Sequence, residues 1–126
     1  MKDRVRKAVE IGLTKWGLVA VAHAQRLILD GPKTGRIYVK GSVVHQASAP
    51  GEAPANETGR LLASLHFEIT PSGTVLRVLA GTDYAAYLEF GTSKMEARPF
   101  LRRAINETSE QGLKFIREEI GKALRG

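Results

Sequence analysis

The sequence has no cysteine. Disulfides, thiolate metal sites and cysteine nucleophiles are therefore excluded. It also lacks an apolar run of the ~20 residues that a membrane helix requires. Residues 17–24 are apolar, but His23, Gln25 and Arg26 close that stretch early. The basic N-terminus has no apolar segment followed by a small-residue cleavage site, so it does not read as a signal peptide. Histidine is scarce. His23, His45 and His66 show no metal-ligand spacing. No nucleophile elbow and no serine–histidine–acid pattern is visible. Glu89 and Glu96 lie across a glycine, a placement that fixes no carboxylate separation. "GPKTG" at 31–35 has only part of a phosphate-loop spacing, and a strand rather than a helix follows it. The chain does not read as an enzyme, and it offers no catalytic, metal or cofactor-binding residue.

What is present suits one domain over residues 1–126. The 126 residues are 43% hydrophobic, enough for a modest core. The net charge is +6. Residues 1–63 hold 10 basic and 5 acidic side chains, and residues 64–126 hold 9 and 8. Such mixing describes a solvated surface with non-specific attraction for anions rather than a dedicated DNA site.

Residues 3–29 read as one long helix. Val5, Ala8, Gly12, Trp16, Val19, His23 and Leu27 form its inward stripe, and Val9, Leu13 and Ala20 widen it. Trp16 is expected as a core anchor and His23 as a half-buried, hydrogen-bonded imidazole. Asp3 suits the helix start, and Gly31-Pro32 stops the helix. Residues 35–41 read as a strand that pairs with 42–46 across Lys40-Gly41. Residues 47–57 form an extended Pro/Gly/Ala loop, of a kind that serves as a binding arm. Asn56 or Thr58 caps a short helix through Leu65. Residues 65–81 read as a β-hairpin turning at Pro71-Ser72-Gly73.

A short helix over 84–90 ends at Gly91, and the last helix starts near Arg98-Pro99. Its inward stripe is Leu101, Ile105, Thr108, Gly112, Phe115, Ile116, Ile120, Ala123 and Leu124. Gly112 marks close packing against the first helix. Tyr84, Tyr87, Phe90 and Phe100 read as core aromatics. The fold class is α+β: a small antiparallel sheet packed against long N- and C-terminal helices, with short helices between.

Two blocks carry a resemblance. "YAAYLEFGTSKMEARPFLRRAI" (84–105) resembles the C-terminal signature of the gene-product-ten-like head–tail joining, or tail-completion, proteins of long-tailed siphophages. "HQASAPGEAPANETGRLLASL" (45–65) resembles that family's Ser-x-Pro-Gly-x-x-Pro loop followed by Thr-Gly-Arg-Leu. The blocks occur in the family's order and cover roughly residues 45–105. The resemblance implies a structural neck protein acting as a homo-oligomeric ring, sixfold by analogy with a tail tube. It implies head-connector or stopper proteins and tail-tube or tail-terminator proteins as partners, non-specific DNA contact in the lumen, no cofactor and no membrane. The implied location is the virion's head–tail junction, after assembly in the host cytoplasm.

Matched to the motif, Pro50, Gly51, Glu52, Pro54, Tyr87, Glu89, Gly91, Thr92, Arg98, Pro99 and Phe100 become candidate subunit or partner contacts. Two readings of Glu89 and Arg98 stay open: a pair between subunits that sets register, or a pair within the chain that holds a joint. A tail terminator, a minor tail component and a basic DNA-binding module are the alternative functions.

Overall fold

The structure, a computed structural model, describes residues 2–30, 37–40, 43–46, 59–81, 89 and 100–126. Helix α1 spans Lys2–Asp30, strands β1 and β2 span Ile37–Lys40 and Val43–Gln46, and helix α2 spans Arg60–Ser64. Strands β3 and β4 span Leu65–Ile69 and Leu76–Ala80. Helices α3 and α4 span Leu101–Glu107 and Ser109–Arg125. The strands form two antiparallel hairpins, β1–β2 and β3–β4, so the α+β class holds with its sheet divided in two. In the second hairpin Phe67 lies opposite Val78. Its turn falls where proline and glycine predict it, with Gly73 at φ 73°, a left-handed value that favours glycine.

Two long helices carry the architecture. At 29 residues, α1 is about 43 Å long. It runs antiparallel to α4, as the contacts of Gly12 with Ile116 and Trp16 with Gly112 show. A Cβ built on Gly12 would lie 2.7 Å from the Ile116 Cα, and one on Gly112 would lie 2.1 Å from the Trp16 ring. Glycine is required at both crossings because backbone or indole already fills the space. On another side of α1, a Cβ on Gly17 would lie 2.4 Å from the Phe67 ring of β3. One helix thus sits against both α4 and the hairpin.

The core gathers where α1, α2, β3 and α3 converge. Ala24, Leu27, Ile28, Leu61, Leu65, Phe100 and Ala104 are its buried members. Phe100 and Ile28 are the largest fully buried side chains. Phe100 therefore behaves as a core aromatic.

Several expectations shift. In α1, Ala8, Gly12, Leu13, Ala20 and Leu27 are buried as the periodicity predicts, but Gly17, Ala24 and Ile28 join them. Val5, Trp16, Val19 and His23 are only half-buried. The β3–β4 hairpin draws the buried band toward Gly17. Helix α2 begins after Gly59 at φ 78°, which has no side chain to cap it, and the expected caps Asn56 and Thr58 lie outside the described residues. The last helix is two helices. It starts at Leu101 rather than at Arg98-Pro99, and it breaks at Thr108. There the Thr108 hydroxyl donates to the Ala104 carbonyl at 2.6 Å, a back-bond that bends helices. Of the expected stripe in α4, Gly112 is buried, Leu124 is 56% exposed, and Glu119 takes an inward position instead.

The same hydroxyl accepts the Trp16 indole N–H at 3.0 Å. Thr108→Val leaves that half-buried donor without its acceptor. The variant is expected to lose about 1–2 kcal/mol. A thermal melt and the emission of Trp16, the sole tryptophan, check this. An unchanged melt and an unchanged emission maximum would show the bond to be incidental.

Candidate functional site

Glu89 is the buried acid of the signature, 3% exposed. Its carboxylate sits at the start of α3. Oε1 accepts the N–H groups of Phe100 and Leu101 at 3.0 and 2.8 Å. Oε2 accepts the Arg102 N–H at 3.2 Å and the Arg102 Nε at 2.7 Å. Arg102 also donates from Nη2 to the Glu89 carbonyl at 2.8 Å. The first N–H groups of a helix have no partner inside the helix and carry partial positive charge. An anion from eleven residues upstream satisfies three of them here.

Burial pushes the Glu89 carboxyl up. The Phe100 N–H, the Arg102 guanidinium and the N–H groups of Leu101 and Arg102 together outweigh it, so the group lies below the ordinary 4.5. Both oxygens are already committed to donors. The arrangement can hold an ionised carboxylate and a helix start in fixed register. It leaves Glu89 no oxygen poised toward solvent for proton transfer.

Of the sequence-predicted residues, the structure brings together Glu89 and Phe100. The partner that Glu89 finds among the described residues is Arg102. Pro50, Gly51, Glu52, Pro54, Tyr87, Gly91, Thr92, Arg98 and Pro99 lie outside the described residues, as does the arm over 47–57. So do Tyr84 and Phe90.

Two further polar clusters join α1 to the C-terminal helices. Lys15 Nζ lies 2.6 Å from Glu119 Oε1, and Lys122 approaches the same oxygen at 3.2 Å. The Lys15 hydrogen bond, then that of Lys122, holds Glu119 below its ordinary value. His23 Nε2 lies 2.7 Å from Glu107 Oε1, and Arg103 Nε donates to Oε2 at 3.0 Å. The His23 hydrogen bond is the largest cause of Glu107's lowered pKa. His23 is thus the half-buried, hydrogen-bonded imidazole that its stripe position predicts.

Sequence reasoning missed the inward Glu119 and the Arg102 partner of Glu89. Glu119 carried a signal: it lies seven residues beyond Gly112, on the same helix face. The Glu89–Arg102 contact had no local signal, because a proline and a glycine intervene.

An open groove of about 280 Å³ runs between the N-terminal part of α1 and the C-terminal part of α4, with Arg4, Lys7, Ile11, Glu119 and Lys122 among its lining residues. Among the described residues no group of three or more histidines and carboxylates could hold a metal ion. No described helix is long and apolar enough to cross a membrane. No family model matches the chain, and no curated protein or solved structure matches it.

Proposed function

We propose that the chain is a structural protein of the phage head–tail interface. It acts as a neck or tail-completion subunit, assembles as a ring, and joins the DNA-filled head to the tail. The observation that carries the reading is Glu89. An acid in the middle of the signature is occupied by a helix joint, hydrogen-bonded to the N–H groups of Phe100, Leu101 and Arg102 and to the Arg102 guanidinium. Such a joint fixes the angle at which the last helices leave the signature segment. A ring uses two surface patches head to tail in every subunit, and closure depends on that angle.

The partners under this reading are further copies, the head connector or stopper, and the tail-tube or terminator protein. The site of action is the virion. A lumen contact with DNA fits Lys2, Arg4, Arg6 and Lys7, clustered at one end of α1. Its strength would fall with salt and would not depend on base sequence. A tail terminator is the nearest alternative of the same class.

Deleting the gene and imaging the lysates by electron microscopy tests the reading. The expected result is filled heads and separate tails. Normal infectious particles would sink it.

A further inference from the structure

The groove between α1 and α4 combines basic side chains with an apolar floor. Arg4, Lys7 and Lys122 line it together with Ala8, Ile11 and Ala123, and Ile11 is 39% exposed. Glu119 is the acid among the lining residues, and Lys15 and Lys122 already close its Oε1. Arg4 and Lys7 meet no acid among the described residues. The acids of this part of α1 lie elsewhere. At 100° per residue Asp3 and Glu10 fall about 100° round the helix from the groove, and Glu10 packs against the turn at Gly73.

We propose that this groove is the receptor for residues 47–57 of a neighbouring copy of the chain. Charge selects the segment. Residues 41–59 are the longest stretch of the sequence without lysine or arginine, and they carry Glu52 and Glu57. The side chains around Glu52 agree with the floor. Ala49, Pro50, Gly51, Ala53, Pro54 and Ala55 are small and mostly apolar, matched to a shallow bed of alanine and isoleucine. A phosphodiester backbone would neutralise the basic groups but would leave Ile11 and Ala123 uncovered.

Covalent reach selects a neighbour. Gly59 stands two residues before Leu61, which shares a core cluster with Ala24, Leu27 and Ile28. Ala24, the nearest of these, is 17 residues beyond Lys7 on α1. That separation is about 26 Å. Glu52 stands seven residues before Gly59. Seven residues span ~25 Å only at full extension. Its own groove is thus at the limit of a straight chain, whereas the groove of a second copy carries no such limit.

The contact is heterologous, segment to groove in each successive subunit, and contacts of that kind close rings. It supplies one head-to-tail contact for the ring proposed above and rests on that reading for its place in a virion, though not for its chemistry. Ordering the segment costs entropy, so the contact is weak between free subunits, and salt weakens it further.

A carbodiimide tests the contact, because it joins a carboxylate only to an amine it touches. Unlabelled and nitrogen-15-labelled full-length chains are mixed and treated, and linked peptides are identified by mass. Links from Glu52 or Glu57 to Lys7 or Lys122 are expected, with mixed-label pairs among them. Same-label pairs alone would place the segment in its own groove and overturn the proposal, and so would the absence of these links. Arg4→Glu with Lys7→Glu leaves the Lys122 amine in place, yet should lower the links to it by about tenfold or more. Mixing that variant with Glu52→Lys, Glu57→Lys should create links between position 7 of the first and positions 52 or 57 of the second. The two variants carry net charges of +2 and +10 against the parent's +6, so bulk attraction cannot produce those links. Their absence would overturn the proposal. Circular dichroism confirms that both variants are folded. Lys2→Glu with Arg6→Glu makes the same charge change outside the groove and should leave the Lys122 links unchanged; an equal loss would overturn the proposal as general attraction. Loss of duplex-oligonucleotide binding in the groove variant, with no segment link in the parent, would assign the groove to DNA instead. The gene deletion is read separately: filled heads and separate tails without these links would keep the neck reading and discard this contact.

Discussion

Gly112→Ala is expected to destabilise the protein by about 1–3 kcal/mol, the range for overpacking a filled site. Helix propensity alone argues the other way, because alanine is favoured over glycine by ~1 kcal/mol in a helix interior. Geometry decides the sign. The added methyl would sit 2.1 Å from the Trp16 ring. That ring has little freedom to yield, since its N–H is held by Thr108. Gly12→Ala should cost at least as much, because its methyl meets the Ile116 backbone.

Gly121→Ala is the internal control. Its nearest neighbour is the Arg125 guanidinium at 3.2 Å, the far end of a flexible side chain. That variant is expected to gain about 0.5–1 kcal/mol. Urea unfolding of the three variants measures both signs. Combining Gly112→Ala with Trp16→Leu should recover part of the loss, since contacting residues couple by ~0.5–3 kcal/mol. A Gly112→Ala protein as stable as the parent would mean the two helices are not in this close contact.

Glu89→Ala is the second large effect, a loss of about 2–4 kcal/mol. Hydrogen bonds to a charged group contribute ~1.5–3 kcal/mol each but are not additive, and the substitution leaves buried N–H groups of α3 unpaired. Arg102→Ala should cost much less, about 0.5–1 kcal/mol, because the Arg102 side chain is 56% exposed and solvent screens its charge. That ordering separates a helix cap from an ion pair. If Arg102→Ala proved as damaging as Glu89→Ala, the cap reading would be wrong.

The same carboxylate sets a pH dependence. Its folded pKa lies below 4.5, so the unfolded chain binds the proton more tightly. The stability it contributes is fully present above the unfolded value and is lost as pH falls through the folded one. Glu107 and Glu119 shift in the same direction. Denaturation midpoints should therefore hold steady above about pH 5.5 and fall below about pH 4.5. Glu89→Gln should flatten that fall.

The sequence made some of this legible and left the rest hidden, for physical reasons. Helix α1, the 65–81 hairpin and the closeness of Gly112 to α1 follow from periodicity and turn chemistry, which act over a few residues. The break at Thr108 does not, because a threonine in a helix pattern is neutral until its hydroxyl finds the Ala104 carbonyl. The cap on α3 was equally hidden. Glu89 and Arg102 are thirteen residues apart and meet only in three dimensions. The exposed apolar residues of α1 were missed for a different reason: Ile11, Leu18 and Leu29 dilute the amphipathic pattern instead of sharpening it. The candidate site was visible as a motif, with Glu89 as one half of a pair, while the N–H groups and the Arg102 guanidinium that Glu89 meets were not.

The pairing of α1 with α4 also orders events during synthesis. Lys15 waits for Glu119, 104 residues later in the chain. Gly12 waits for Ile116, and Trp16 for Thr108. Chains emerge from the ribosome at ~5–20 residues per second, so the first helix spends several seconds with its α4-facing side uncovered. That helix also exposes Ile11, Leu18 and Leu29. The nascent chain is therefore stickiest at its leading end and is relieved only when the last helix arrives. Truncation near the C-terminus would return the protein to that exposed condition, and a stop codon before Ser109 should yield insoluble chain rather than a smaller folded body.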